Sequence, residues 1–101
     1  RFAARCRGLL AAPRPPEGRG LWIVPCSAVH TLGMRYALDI VFLARDDRIL
    51  GARFALPPGR MARGPRGTRS VLEMAAGWCP RTHLTPGSRL LVEGEATPRA
   101  R

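Results

Sequence analysis

The segment YALDIVFLA at residues 36–44 limits the fold more than any other stretch. Leu38, Ile40 and Phe42 on one parity, and Val41 and Leu43 on the other, are all apolar. A strand apolar on both parities is covered on both faces, so it runs through the middle of the structure. Asp39 interrupts it. An unpaired charge in such a place costs several kcal/mol, so the carboxylate needs donors. Backbone N–H groups of the 27–35 connection, or the ring of His30, are the donors expected from the sequence.

The rest of the chain reads as short strands around that segment. Arg45-Asp46-Asp47-Arg48 is a polar turn, and residues 49–56 return as an alternating strand with Leu50, Ala52, Phe54 and Leu56 toward the core and Arg53 outward. Upstream, Leu21–Val24 is a four-residue apolar run bounded by Gly20 and Pro25, a buried strand over 21–24. Residues 26–34 read as an irregular connection. Pro57 and Pro58 end the hairpin, and GRMARGPRGTR at 59–69 reads as an exposed loop. Ser70–Ala75 forms a strand with Leu72 and Met74 on one face and Val71 and Glu73 on the other. Residues 78–84 suit one helical turn with Pro80 near its start, and 89–93 a last strand, before a frayed tail at 94–101. At the N-terminus, Phe2, Cys6, Leu9 and Leu10 share one stripe at helical spacing, which predicts a short helix over 2–10; PRPPEGRG stops it. No βαβ alternation appears. The expectation is one mainly β domain over residues 1–101, a small antiparallel barrel or sandwich of about five strands with a short N-terminal helix.

The formal charge is +10, from 17 basic and 7 acidic residues, and every basic residue is Arg. Bidentate phosphate contacts would enrich Arg, but they would not remove Lys. Arg-rich, Lys-free composition alongside abundant Ala, Gly, Pro and Leu reflects GC-rich coding, so the charge is discounted as a nucleic-acid signature. Only six aromatics occur, and none interleaves with the Arg-rich loop, so a base-stacking platform is missing. Cys6, Cys26 and Cys79 are too few and too scattered for a disulfide scaffold. No apolar run reaches a membrane span, and RFAARCRGLL is too short and too charged in its apolar half for a signal peptide. A cytoplasmic location is expected.

Leu21–Cys26, Val29-His30-Thr31, Gly33-Met34 and Leu38–Leu43 together resemble the prokaryotic domain-of-unknown-function family 192. Arg5 with Gly8-Leu9-Leu10, Pro57 after the hairpin, Ser70–Met74 with Gly77, and Pro86-Gly87 support the likeness, which extends over residues 5–92. The resemblance implies a compact β-barrel or sandwich, with one more strand often ahead of the helix. It implies no established activity, cofactor or partner.

Four groups of residues could carry chemistry. Cys26, His30, Cys79 and His83 are the right ligand types and number for tetrahedral zinc, but their spacing departs from the tight knuckles of structural sites. Cys26 with His30, oriented by Asp39, could form a nucleophilic pair, though no oxyanion-hole or nucleophile-elbow motif accompanies it. His30, Thr31, Asp39 and Glu73 could form a hydrogen-bonded cluster, either sealed in packing or flooring a pocket walled by Met34 and Trp22. Arg60, Arg63, Arg66 and Arg69 recur every third residue and could contact anions or an acidic partner; a solvated surface is the plainer reading. The favoured expectation is a non-catalytic module without cofactor that binds a protein or small ligand through residues 26–39. A metal or Cys/His enzyme at Cys26 and His30, and polyanion binding by 59–69, are the alternatives.

Overall fold

A computed structural model describes residues 20–77 and 85–90. Six strands follow in chain order: β1 (Gly20–Ile23), β2 (Ala28–His30), β3 (Leu38–Leu43), β4 (Ile49–Leu56), β5 (Met61–Arg63) and β6 (Ser70–Ala75). They form two antiparallel sheets, one of four strands in the order β1-β6-β3-β4 and a separate two-stranded ribbon of β2 and β5. The described residues are therefore mainly β and contain no helix, and their strands do not close into a barrel. The helix expected at 2–10 and the helical turn at 78–84 lie outside the described residues. Of the strand expected at 89–93, the described part shows Arg89 in a single bridge to Arg48.

The two-sided segment lies inside the larger sheet, with β3 between β6 and β4. All six of its residues are buried, as are all six of β6. It is shorter than the apolar run because Ala44 already belongs to the turn, donating its N–H to Arg48 and accepting from Asp47. One face of the sheet, with Leu21, Ile23, Leu38, Ile40, Phe42 and Val71, packs against Val29 of β2 and Ala62 of β5 in a single apolar cluster. The opposite face carries Val41, Leu43, Ile49, Leu72 and Met74, with Trp22, Ala52 and Phe54 against them.

β4 has eight residues and β3 has six, and two bulges absorb the difference. At the hairpin end, Phe42 pairs Gly51 and Leu43 pairs Ile49, which leaves Leu50 as the extra residue. At the far end, Ile40 pairs Arg53 and Leu38 pairs Leu56, so Phe54 and Ala55 together oppose Asp39. An extra residue reverses the in/out alternation beyond it. Ala52 and Phe54 pack on one side of the sheet, while Leu56 packs on the other, with the ribbon. The simple alternation expected for 49–56 fails at that point.

The Arg-rich segment is more ordered than the loop expected from its composition. Its first part is β5, and Thr68 closes a turn over Pro65, whose carbonyl accepts from both the Thr68 hydroxyl (2.6 Å) and the Thr68 N–H (3.2 Å). Gly64 allows this segment to cross the sheet closely: a Cβ there would stand 2.7 Å from Phe42 Cδ1 and would collide with the Thr68 hydroxyl. Gly64→Ala should lower stability by about 1–3 kcal/mol through overpacking. A lower urea midpoint at unchanged m-value would register it; an unchanged midpoint would show that the segment does not press on Phe42.

Candidate functional site: a cationic ribbon over one face of the sheet

The ribbon joins two parts of the sequence that read as separate candidates. Ala28, Val29 and His30 pair with Arg63, Ala62 and Met61. Residues 26–31 and the Arg-rich segment therefore share one surface. Only Val29 and Ala62 of the six are buried. With one inward side chain each, these strands follow no apolar alternation long enough to be seen in the sequence, and a connection and a loop are what the composition suggests.

Thr31 fixes the end of the ribbon. It is fully buried. Its hydroxyl donates to the Pro57 carbonyl at 2.6 Å and accepts the Arg60 N–H at 2.8 Å. Its own N–H donates to the Arg60 carbonyl, and its carbonyl accepts from Met34 and Gly59. One side chain and one peptide unit thus tie the 57–60 turn to the 31–34 turn. At the other end, Arg69 links the sheets: its N–H donates to Leu43 and its carbonyl accepts from Cys26. Beside it, Pro25, Cys26, Ser27, Thr68 and Arg69 line a cleft of about 170 Å³.

The expected polar cluster is divided between two faces. Asp39 pairs with Met74 and shares its parity with Val41 and Leu43, so it belongs to the face turned away from the ribbon. Glu73 pairs with Leu21 and Ile40 and lies buried on the ribbon side. The donors found on Asp39 differ from those expected. Oδ1 accepts the Ala55 N–H at 2.8 Å and Oδ2 accepts the Gly77 N–H at 3.0 Å. Ala55, one of the two bulge residues, has a left-handed φ of 52°, a region that favours glycine, and its N–H bond to Asp39 holds it there. Such a conformation costs an L-residue about 1–2 kcal/mol, which the hydrogen bond from the Ala55 N–H to Asp39 helps to offset.

The remaining candidates also bond to backbone. The Cys26 thiol is buried and donates to the Ala28 carbonyl at 3.1 Å, and His30 Nδ1 accepts the Leu32 N–H at 3.3 Å. These bonds, like those of Asp39, run to the main chain and not from one candidate side chain to another. Met34 is buried in the ribbon-side cluster, while Trp22 packs on the opposite face, so the two do not wall one pocket. Among the described residues, no three His, Cys, Asp or Glu side chains gather to hold a metal ion; Cys79 and His83 lie outside them. Nor do the described residues contain a helix long and apolar enough to cross a membrane. Arg60, Arg63, Arg66 and Arg69 are all exposed.

A family model described as Uncharacterized ACR, DUF192, matches residues 1–92. The chain belongs to the DUF192 family. Two solved structures share its fold. One is a protein of unknown function from Novosphingobium aromaticivorans, 21% identical, with a TM-score of 0.70 over 85% of this chain and 69% of that one. The other is described as a "putative transcription regulator" from Sinorhizobium meliloti, also 21% identical with a TM-score of 0.70, over 87% of this chain and 76% of that one. At this identity the likeness is one of fold. No curated protein matches.

Two substitutions test how the site is held. Asp39→Ala removes the acceptor for two N–H groups and should cost about 3 kcal/mol or more, with Asp39→Asn recovering only part because one amide oxygen cannot serve both donors. Thr31→Val should cost about 2 kcal/mol, and Thr31→Ser should restore most of it. Denaturant titration measures both; unchanged stability in either case would remove that residue from the account of how the ribbon is positioned.

Proposed function

We propose that this chain is a non-catalytic binding module whose partner is an acidic protein segment docking on the outer side of the β2–β5 ribbon. One observation carries the reading: β2–β5 pairing places residues 26–31 and the Arg-rich segment on a single surface. Charge on that surface is unbalanced. Of the described acidic residues, Asp39 and Glu73 are buried, and Asp46 and Asp47 lie in the β3–β4 turn, where Asp46 engages Arg48 at 3.2 Å and Arg89 at 3.7 Å. Arg60, Arg63, Arg66 and Arg69 are exposed in and beside the ribbon, and none is in an ion pair with an acidic side chain among the described residues. A surface of one sign steers an oppositely charged partner and raises its association rate.

The exposed side chains favour a protein over a nucleic acid. Leu32 is 57% exposed and Met61 is 71% exposed, the two large hydrophobics of which this holds among the described residues. Both lie at the same end of the ribbon, beside Thr31 and Arg60. Phosphate contacts need cations but no aliphatic neighbours, whereas protein interfaces use Met and Arg together. Three cysteines in the whole chain are too few for a disulfide scaffold, which suits a reducing compartment, and we place the module in the cytoplasm on that ground.

NMR titration of the labelled chain with a flexible nine-residue peptide of alternating Glu and Gly tests the proposal. Saturable shifts should cluster at residues 27–32 and 60–69 and weaken as salt rises. Shifts spread evenly over the surface, or tighter binding of a nine-nucleotide oligothymidylate than of the peptide, would overturn it.

A further inference from the structure

We infer that the partner binds by strand addition to the outer edge of β5, as an extended acidic segment. The inference rests on the binding surface proposed above and specifies how it is used. The hydrogen-bond pattern of the ribbon shows why the edge is open. The Thr31 N–H donates to the Arg60 carbonyl at one end, and the Gly64 N–H donates to the Ser27 carbonyl at the other. Between them, Ala28 faces Arg63, Val29 faces Ala62 and His30 faces Met61. Bonded and non-bonded pairs alternate along an antiparallel ladder. Residues 31/60, 29/62 and 27/64 are thus the bonded pairs, and 30/61 and 28/63 are the non-bonded ones. The N–H and C=O groups of Met61 and Arg63 consequently point away from β2. β5 has no second neighbour among the described strands, and no described residue bonds to those backbone groups.

The matching edge of β2 is less available, because the Cys26 thiol already donates to the Ala28 carbonyl. On β5, Met61 and Arg63 are exposed and Ala62 is buried. A strand laid along this edge would set side chains two positions apart beside Met61 and Arg63 on its outer face. The fitting segment therefore carries an aliphatic and an acidic residue at that spacing. Its reach is short: Arg60 donates its N–H to Thr31, and Pro65 has none to offer, so about three residues can pair. Charged edges guard sheets against self-association. Here the same arginines that repel a second copy of this chain, with its charge of +10, attract an acidic strand.

The test uses a nine-residue peptide with Glu and Val alternating at the odd positions and Thr at the even ones. Its binding should slow hydrogen exchange at the amides of Met61 and Arg63 by about tenfold or more, while the already bonded Ala62 amide changes little. Met61→Pro removes an outward N–H without touching the β2 ladder and should weaken binding by about tenfold; Met61→Ala keeps that N–H and should weaken it by less than about threefold. Unchanged spectra elsewhere in the Met61→Pro chain would verify its fold. Peptide binding at the arginines without amide protection would overturn strand addition and leave the cationic binding surface standing. No shifts with either peptide would end both. Concentration-dependent dimerisation of the free chain through β5 would assign the edge to self-association and overturn the inference.

Discussion

A single carboxylate holding two backbone N–H groups decides the shape of this structure. Asp39 accepts from Ala55 on one side and from Gly77 on the other, and so clamps the end of β4 and the exit of β6 onto β3. The bulge at Phe54–Ala55 exists opposite that carboxylate. Its consequence is directional. It turns Leu56 to the ribbon side of the sheet and delivers Pro57 to the Thr31 hydroxyl. Thr31 then fixes Arg60 through two further bonds, its hydroxyl accepting the Arg60 N–H and its own N–H donating to the Arg60 carbonyl, and β5 begins at the next residue. The candidate surface is therefore linked to a group on the opposite face of the sheet, through hydrogen bonds between two side chains, Asp39 and Thr31, and the main chain.

Division of polar groups between the two sides follows from the same arrangement. The central strands β3 and β6 are buried at every position, so a carboxylate within them is costly unless donors reach it. Backbone N–H groups freed by a bulge and by a strand end supply them for Asp39. Among the described residues, acidic groups are in this way drawn into the core or held in the β3–β4 turn, where Asp46 meets Arg48 and Arg89. Arginine remains on the outside, where the ribbon concentrates it.

The sequence makes the long elements legible and hides the short ones. Apolar density on both parities marks the position of β3, and an alternating run after a polar turn marks β4, because each repeats its pattern over several residues. The demand that Asp39 find donors is likewise readable from its setting. Which donors it finds is not, because they belong to residues 55 and 77, distant in sequence and supplied by irregular backbone. β2 and β5 are three residues each with one inward side chain apiece, too short for any periodicity. Mixed composition in 26–34 and the Gly/Pro/Arg content of 59–69 point to connections instead. For the same reason the proposed surface could be suspected only as two unrelated candidates, a polar stretch and an arginine run, with nothing in either to show that they pair.

Where hydrogen-bonding capacity is already committed also bears on what the molecule can do. A nucleophile needs a base within reach and a base needs an orienting partner, yet the bonds seen on Cys26, His30 and Asp39 run to Ala28, Leu32, Ala55 and Gly77 of the main chain. Those bonds stabilise turns, a bulge and a strand end. The outward backbone groups of β5 and the guanidinium groups around them carry no such structural duty. Strand addition there, as proposed, would leave the fold intact, because the ladder that holds β5 in place uses the other set of N–H and C=O groups.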